Sequence, residues 1–133
     1  MSERPGPGVL AVVAVGGALG SLGRYAVGLG LPHRVGEFPW GTMVVNLSGA
    51  FAIGLLVAYL MDRPGSHPLA RPFLGVGVLG GWTTYSAFAV DLLQLADAGR
   101  ITALLAYAVG TLLLGTLAVG AGTAAGRALW PGP

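Results

Sequence analysis

Cysteine and lysine are both absent from this 133-residue chain, and only five residues are acidic. Without cysteine there can be no disulfide, no thiolate metal site and no thiol nucleophile. Charged residues make up 9% of the chain, where a soluble domain carries about a quarter. All seven basic residues are arginines, and the net charge of +2 rests on so few ionisable groups that it does not indicate nucleic-acid binding. Enzymatic constellations are missing too. His33 and His67 both fall in polar connectors with no triad partner nearby in sequence, and there is no HExxH, no carboxylate pair and no run with metal-ligand spacing. Gly75-Val76-Gly77-Val78-Leu79-Gly80 matches GxGxxG, but a dinucleotide fingerprint needs a preceding strand in a soluble two-layer unit, and here the context is an apolar run.

What is present is hydrophobicity, 54% of residues, together with 24 glycines. A helix crossing a bilayer needs about 20 mostly apolar residues. Four segments qualify, at about 8–30, 39–61, 73–95 and 101–129, so residues 1–133 read as a single four-helix transmembrane domain. The first segment lacks the basic n-region and the cleavage site of a signal peptide and is expected to be a retained helix. Orientation follows arginine in the loops. One side carries Arg4, Arg63, Arg71 and Arg127, and the other Arg34 and Arg100, with Arg24 if it lies near the end of its helix. That is almost no bias, which leaves open both a fixed topology and insertion of copies in both directions.

The pairs Gly16/Gly20, Gly77/Gly81 and Gly122/Gly126 have the small-xxx-small spacing that lets helices approach closely, either within one bundle or between copies. The centre of the third span, Gly80-Gly81-Trp82-Thr83-Thr84, has poor helix propensity. Two readings stand for it: a continuous helix whose threonine hydroxyls bond back to the preceding turn, or a break whose freed backbone groups are satisfied by protein, water or an ion. Neutral polar and aromatic groups gather at the same depth: Asn46 in the second span, Tyr85, Ser86 and Phe88 beyond the interruption, and Tyr107, Thr111 and Gly115 along one stripe of the fourth. Neutral donors suit an ion that must enter and leave quickly, and the positive edge of an aromatic ring can face an anion. Arg24 and Asp91 are expected at the watery ends of their spans, because a charge at the bilayer centre is costly. Neither is expected to couple protons.

The stretches GGALGSLGRY (16–25), GTMVVNLSGAFAIG (41–54) and GVLGGWTTYSAF (77–88) resemble the signature segments of the Fluc, or CrcB, family of small fluoride channels. The resemblance covers nearly the whole chain. It implies an all-α membrane protein of four transmembrane helices, the third broken near its centre, assembled as an antiparallel dual-topology homodimer in the plasma (inner) membrane. It further implies two pores that export fluoride passively. A structural sodium ion would be held by the backbone carbonyls of Gly80 and Thr83. Asn46, Tyr85, Ser86, Phe88, Tyr107 and Thr111 would line the fluoride path, with Arg24 at the vestibule. Tyr85 stands where the family usually has phenylalanine, and Gly115 where a hydroxyl is common, with Thr116 or water available to compensate. Such departures also fit one half of a heterodimer with a paralogous subunit. Two other classes compete. A small dual-topology multidrug exporter needs an acidic residue in its first span, and 8–30 has none. A non-transporting scaffold would use Asn46 only as interhelical glue.

Overall fold

The computed structural model describes residues 5–61 and 65–131. Arg4 and Arg63, two of the arginines weighed for orientation, lie outside these residues. All regular structure among the described residues is helical. Helix α1 is Pro7–Gly30, with proline in the first turn, where its missing N–H breaks no hydrogen bond. Helix α2 is Trp40–Met61. Helix α3, residues 72–82, is a wide π-helical stretch, Pro72–Leu79, closed by one α turn, Gly80–Trp82. Helices α4, Tyr85–Asp97, and α5, Ile101–Leu129, complete the chain.

Four helical segments are long and apolar enough to cross a bilayer: Pro7–Gly30, Trp40–Leu60, Pro72–Asp97 and Ile101–Leu129. The third is α3 and α4 in succession, and the protein is a multi-pass membrane protein. Side chains such as Leu19, Leu22, Leu113 and Leu117 remain more than half exposed, as a lipid-facing surface requires. Between α4 and α5 the turn closes on Gly99 at φ +69°, a conformation suited to glycine. There the Arg100 N–H donates to the Leu95 carbonyl at 2.8 Å.

The most extensive packing joins α2 to α5 and α1 to α3. In lipid there is little hydrophobic drive between helices, so backbones must come close enough for dispersion to hold them. Glycine permits this. A methyl group at Gly16 would stand 2.6 Å from the Phe73 carbonyl oxygen, and the Val78 carbonyl fills the place of one at Gly20. On the other pair, Gly122 meets the Phe51 carbonyl and Gly54 the Val119 carbonyl. All three glycine pairs of the sequence therefore serve crossings inside the subunit and say nothing of a second copy. A small core of Met43, Leu95 and Tyr107 ties α2, α4 and α5 together at one end.

Candidate functional site at the broken third span

The third span breaks at two residues. Thr83 (φ −78°, ψ 158°) and Thr84 (φ −150°, ψ 117°) are extended, so α3 ends at Trp82 and α4 begins at Tyr85. The Thr83 hydroxyl does bond back to the Leu79 carbonyl at 3.0 Å, yet the helix does not continue. Other elements satisfy the opened backbone. The Asn46 side chain takes both sides of Thr84: its Oδ1 accepts from the Thr84 N–H at 2.8 Å, and its Nδ2 donates to the Thr84 carbonyl at 3.0 Å. Arg24 Nη1 donates to the Thr83 carbonyl at 2.9 Å. Thr84 caps α4, its hydroxyl accepting from the Ala87 N–H at 3.1 Å. Trp82 Nε1 donates to Ser48 Oγ at 2.9 Å, and α2 approaches so closely that the Thr83 methyl fills the place of a side chain at Gly49. Ser48 and Gly49 are part of this bracket although sequence reasoning assigned them no role. Only their place in the stretch around Asn46 pointed to them.

The diverted N–H of Thr84 would otherwise continue the helical ladder onto the Gly80 carbonyl. Gly80 is exposed, with nothing within 4 Å of where a Cβ would stand. Gly80 and Thr83 thus present neutral backbone oxygens at the end of a half-helix, a donor set that fits a hard monovalent cation. The Thr83 oxygen already accepts from Arg24 and keeps one lone pair.

Beside the break lies a cavity of about 450 Å³. Asn46, Thr83, Thr84, Tyr85, Phe88, Gly80 and Thr111 line it. The Thr111 hydroxyl is buried and has no hydrogen-bond partner, alone in this among the side-chain groups of the described residues. Two other α5 threonines do have partners: Thr116 donates to the Leu112 carbonyl at 2.8 Å and Thr123 to the Val119 carbonyl at 2.9 Å. Thr116 is therefore tied to its own helix and does not replace a hydroxyl at position 115. The Tyr85 and Phe88 rings stand 6.1 Å apart, Tyr85 being 82% exposed. The Ser86 hydroxyl is 3.3 Å from that of Thr84, and Ser86 is not among the residues that line this cavity.

Tyr107 is placed differently from the stripe it shares with Thr111. It is fully buried, packs its ring 5.0 Å from Phe88, and donates its hydroxyl to Asp91 Oδ2 at 3.1 Å. Asp91 is likewise buried, with Tyr107 and His33 of the α1–α2 connector as its partners. His33 Nε2 is 3.3 Å from Asp91 Oδ1, a partner distant in sequence that the fold brings to a histidine expected to have no triad partner nearby. The connector between α1 and α2 folds back over α4, a contact no local pattern announces. Arg24 and His33 share a second cavity, of about 340 Å³, that reaches Thr84 from the other side. Among the described residues no three His, Asp or Glu side chains converge as metal ligands.

Residues 11–123 match the family model described as CrcB-like protein, Camphor Resistance (CrcB). The chain is 49% identical over 119 residues to the fluoride-specific ion channel FluC of Rhizobium meliloti (strain 1021), covering 89% of this chain and 95% of that one. It is 47% identical over 118 residues to FluC of Paracoccus denitrificans (strain Pd 1222), covering 89% and 94%. It is 40% identical over 121 residues to FluC 2 of Nocardia farcinica (strain IFM 10152), covering 91% and 86%. These relatives carry the names of channels, not of enzymes, and the chain belongs to the CrcB family.

Proposed function

We propose that this chain forms a passive fluoride-selective channel, working as an antiparallel dual-topology dimer with two pores in the plasma (inner) membrane and exporting cytoplasmic fluoride. One observation carries the reading: Thr111, whose hydroxyl is buried and unpartnered, lines a cavity at membrane depth together with Asn46 and Phe88. An orphaned hydroxyl there is costly unless something passing through accepts a hydrogen bond from it. Fluoride is small and strongly hydrated, so a narrow path must replace its water with donors. The Thr111 hydroxyl, the second Nδ2 hydrogen of Asn46 and the edges of Phe88 and Tyr85 are the groups available, and none is charged. Fluoride names in the relatives support the choice of ion.

Assembly follows from what one copy leaves open. Tyr85, Ser86 and Gly80 are exposed around a broken helix, and lipid offers irregular backbone no partner. A second copy laid against this face would cover it. Gly80 and Thr83 from both copies would hold a structural sodium ion, which would satisfy the carbonyls the break sets free. In this assembly each copy's Tyr85 and Phe88 would border a pore.

The test is anion efflux from liposomes holding only this protein, followed with a fluoride electrode under a potassium/valinomycin potential. Rapid fluoride release with chloride retained is the expected outcome. Well-folded protein that releases no fluoride would exclude a homodimeric channel, and release restored by a paralogous subunit would make this chain half of a heterodimer.

A further inference from the structure

The second cavity differs from the first in carrying charge. Arg24 and His33 line it with Thr42 and Thr84, and it opens at the α1–α2 connector, which places it at an entrance to the site. Behind His33 stands the buried Asp91, held from one side by His33 Nε2 at 3.3 Å and from the other by the Tyr107 hydroxyl at 3.1 Å. No step of the proposed conduction path uses this Tyr107–Asp91–His33 chain. We propose that His33 sets the charge of this entrance: proton uptake by its imidazole cancels the Asp91 carboxylate and speeds the passage of anions.

The inference rests on the anion-channel reading above. With a neutral imidazole, His33 Nε2 at 3.3 Å from Asp91 Oδ1, the pair carries one negative charge behind the entrance. A second proton on Nδ1 makes the pair neutral overall without breaking the contact. Histidine is the side chain suited to such a change between pH 5 and 8. From α1 comes Arg24, whose guanidinium keeps its charge throughout this range. From α2 comes Thr42, and from α5 Tyr107, neither of which ionises there. In the connector, Glu37 accepts from the Arg34 N–H at 2.9 Å, and Gly36 packs on Ala98 in the turn that carries Asp97 and Arg100. None of these supplies a second titration at the same place, and His33, about a quarter exposed, can exchange its proton with water.

Fluoride efflux from liposomes at about pH 5 and pH 8 tests this, with protein-free vesicles subtracting the leak of hydrogen fluoride through lipid. Wild-type flux is expected to be about fivefold faster at the acid pH, the effect of removing one charge at short range. His33→Gln keeps a donor toward Asp91 without the charge, so its flux should be equal at both pH values. His33→Arg should be fast at both. Equal wild-type rates, or a pH ratio that survives in His33→Gln, overturns the role of His33 and leaves the channel standing. Absence of flux at either pH overturns the channel reading, and this inference with it.

Discussion

Thr111, Thr116 and Thr123 on α5 have the same chemistry and different surroundings. The hydroxyls of Thr116 and Thr123 are spent on their own helix, and that of Thr111 is not. Thr111→Val keeps the shape and removes the donor, so fluoride efflux should fall about tenfold, the worth of one hydrogen bond to an ion. Thr116→Val should leave efflux unchanged, and a similar loss in both variants would show that hydroxyls on this helix matter only for folding. Asn46 answers to a different measurement. Its amide spans the Thr84 N–H and carbonyl, and Asn46→Ala strands both. Thermal unfolding in detergent should then show a loss of at least about 2 kcal/mol, whatever happens to flux. Asn46 was legible in the sequence as a polar residue too deep in a span to be idle. Its partner was not, because the Thr84 backbone becomes available only once the helix has broken. The same holds for Asp91, whose burial depends on His33, 58 positions earlier, folding back over it.

At the scale of elements, the spans were legible because hydrophobic length is fixed by the bilayer, whereas Gly-Gly-Trp-Thr-Thr left a break and a continuous helix both open, and only the family resemblance implied the break. The width of the preceding helix was not legible: nothing in Pro72–Leu79 distinguishes a π-helical stretch from an α-helix by composition. The glycine pairs announced close crossings without naming what they cross, since spacing describes a face and not its neighbour. The structure turns them into a prediction. Gly20→Ala and Gly122→Ala drive a methyl group into the Val78 and Phe51 carbonyls, and each should cost about 1–3 kcal/mol and reduce the yield of monodisperse protein. Gly28→Ala and Gly120→Ala meet nothing within 4 Å and lie in helices, so they should be neutral or slightly stabilising. Equal tolerance at all four positions would mean that the crossings are looser than these contacts require.

For the whole molecule, the question is how a single chain with so little charge asymmetry sits in the bilayer. The loop arginines are nearly balanced, and the positive-inside rule then gives no strong preference to either direction. A broken helix with an exposed polar face adds a reason for both directions to be used, since two copies related by an axis in the membrane plane would cover the same face of each other. The absence of cysteine makes this directly measurable. Gly65 lies in the connector between α2 and α3, is exposed, and has open space around it, so Gly65→Cys introduces one thiol without disturbing a contact. A membrane-impermeant maleimide applied to intact cells should label about half of the protein, with the remainder reacting only after permeabilisation. Labelling of all copies or none from outside would establish a fixed topology. The face around Gly80, Thr83 and Tyr85 would then need a partner of opposite orientation from another chain, and the homodimer with its shared cation site would give way to a heterodimer.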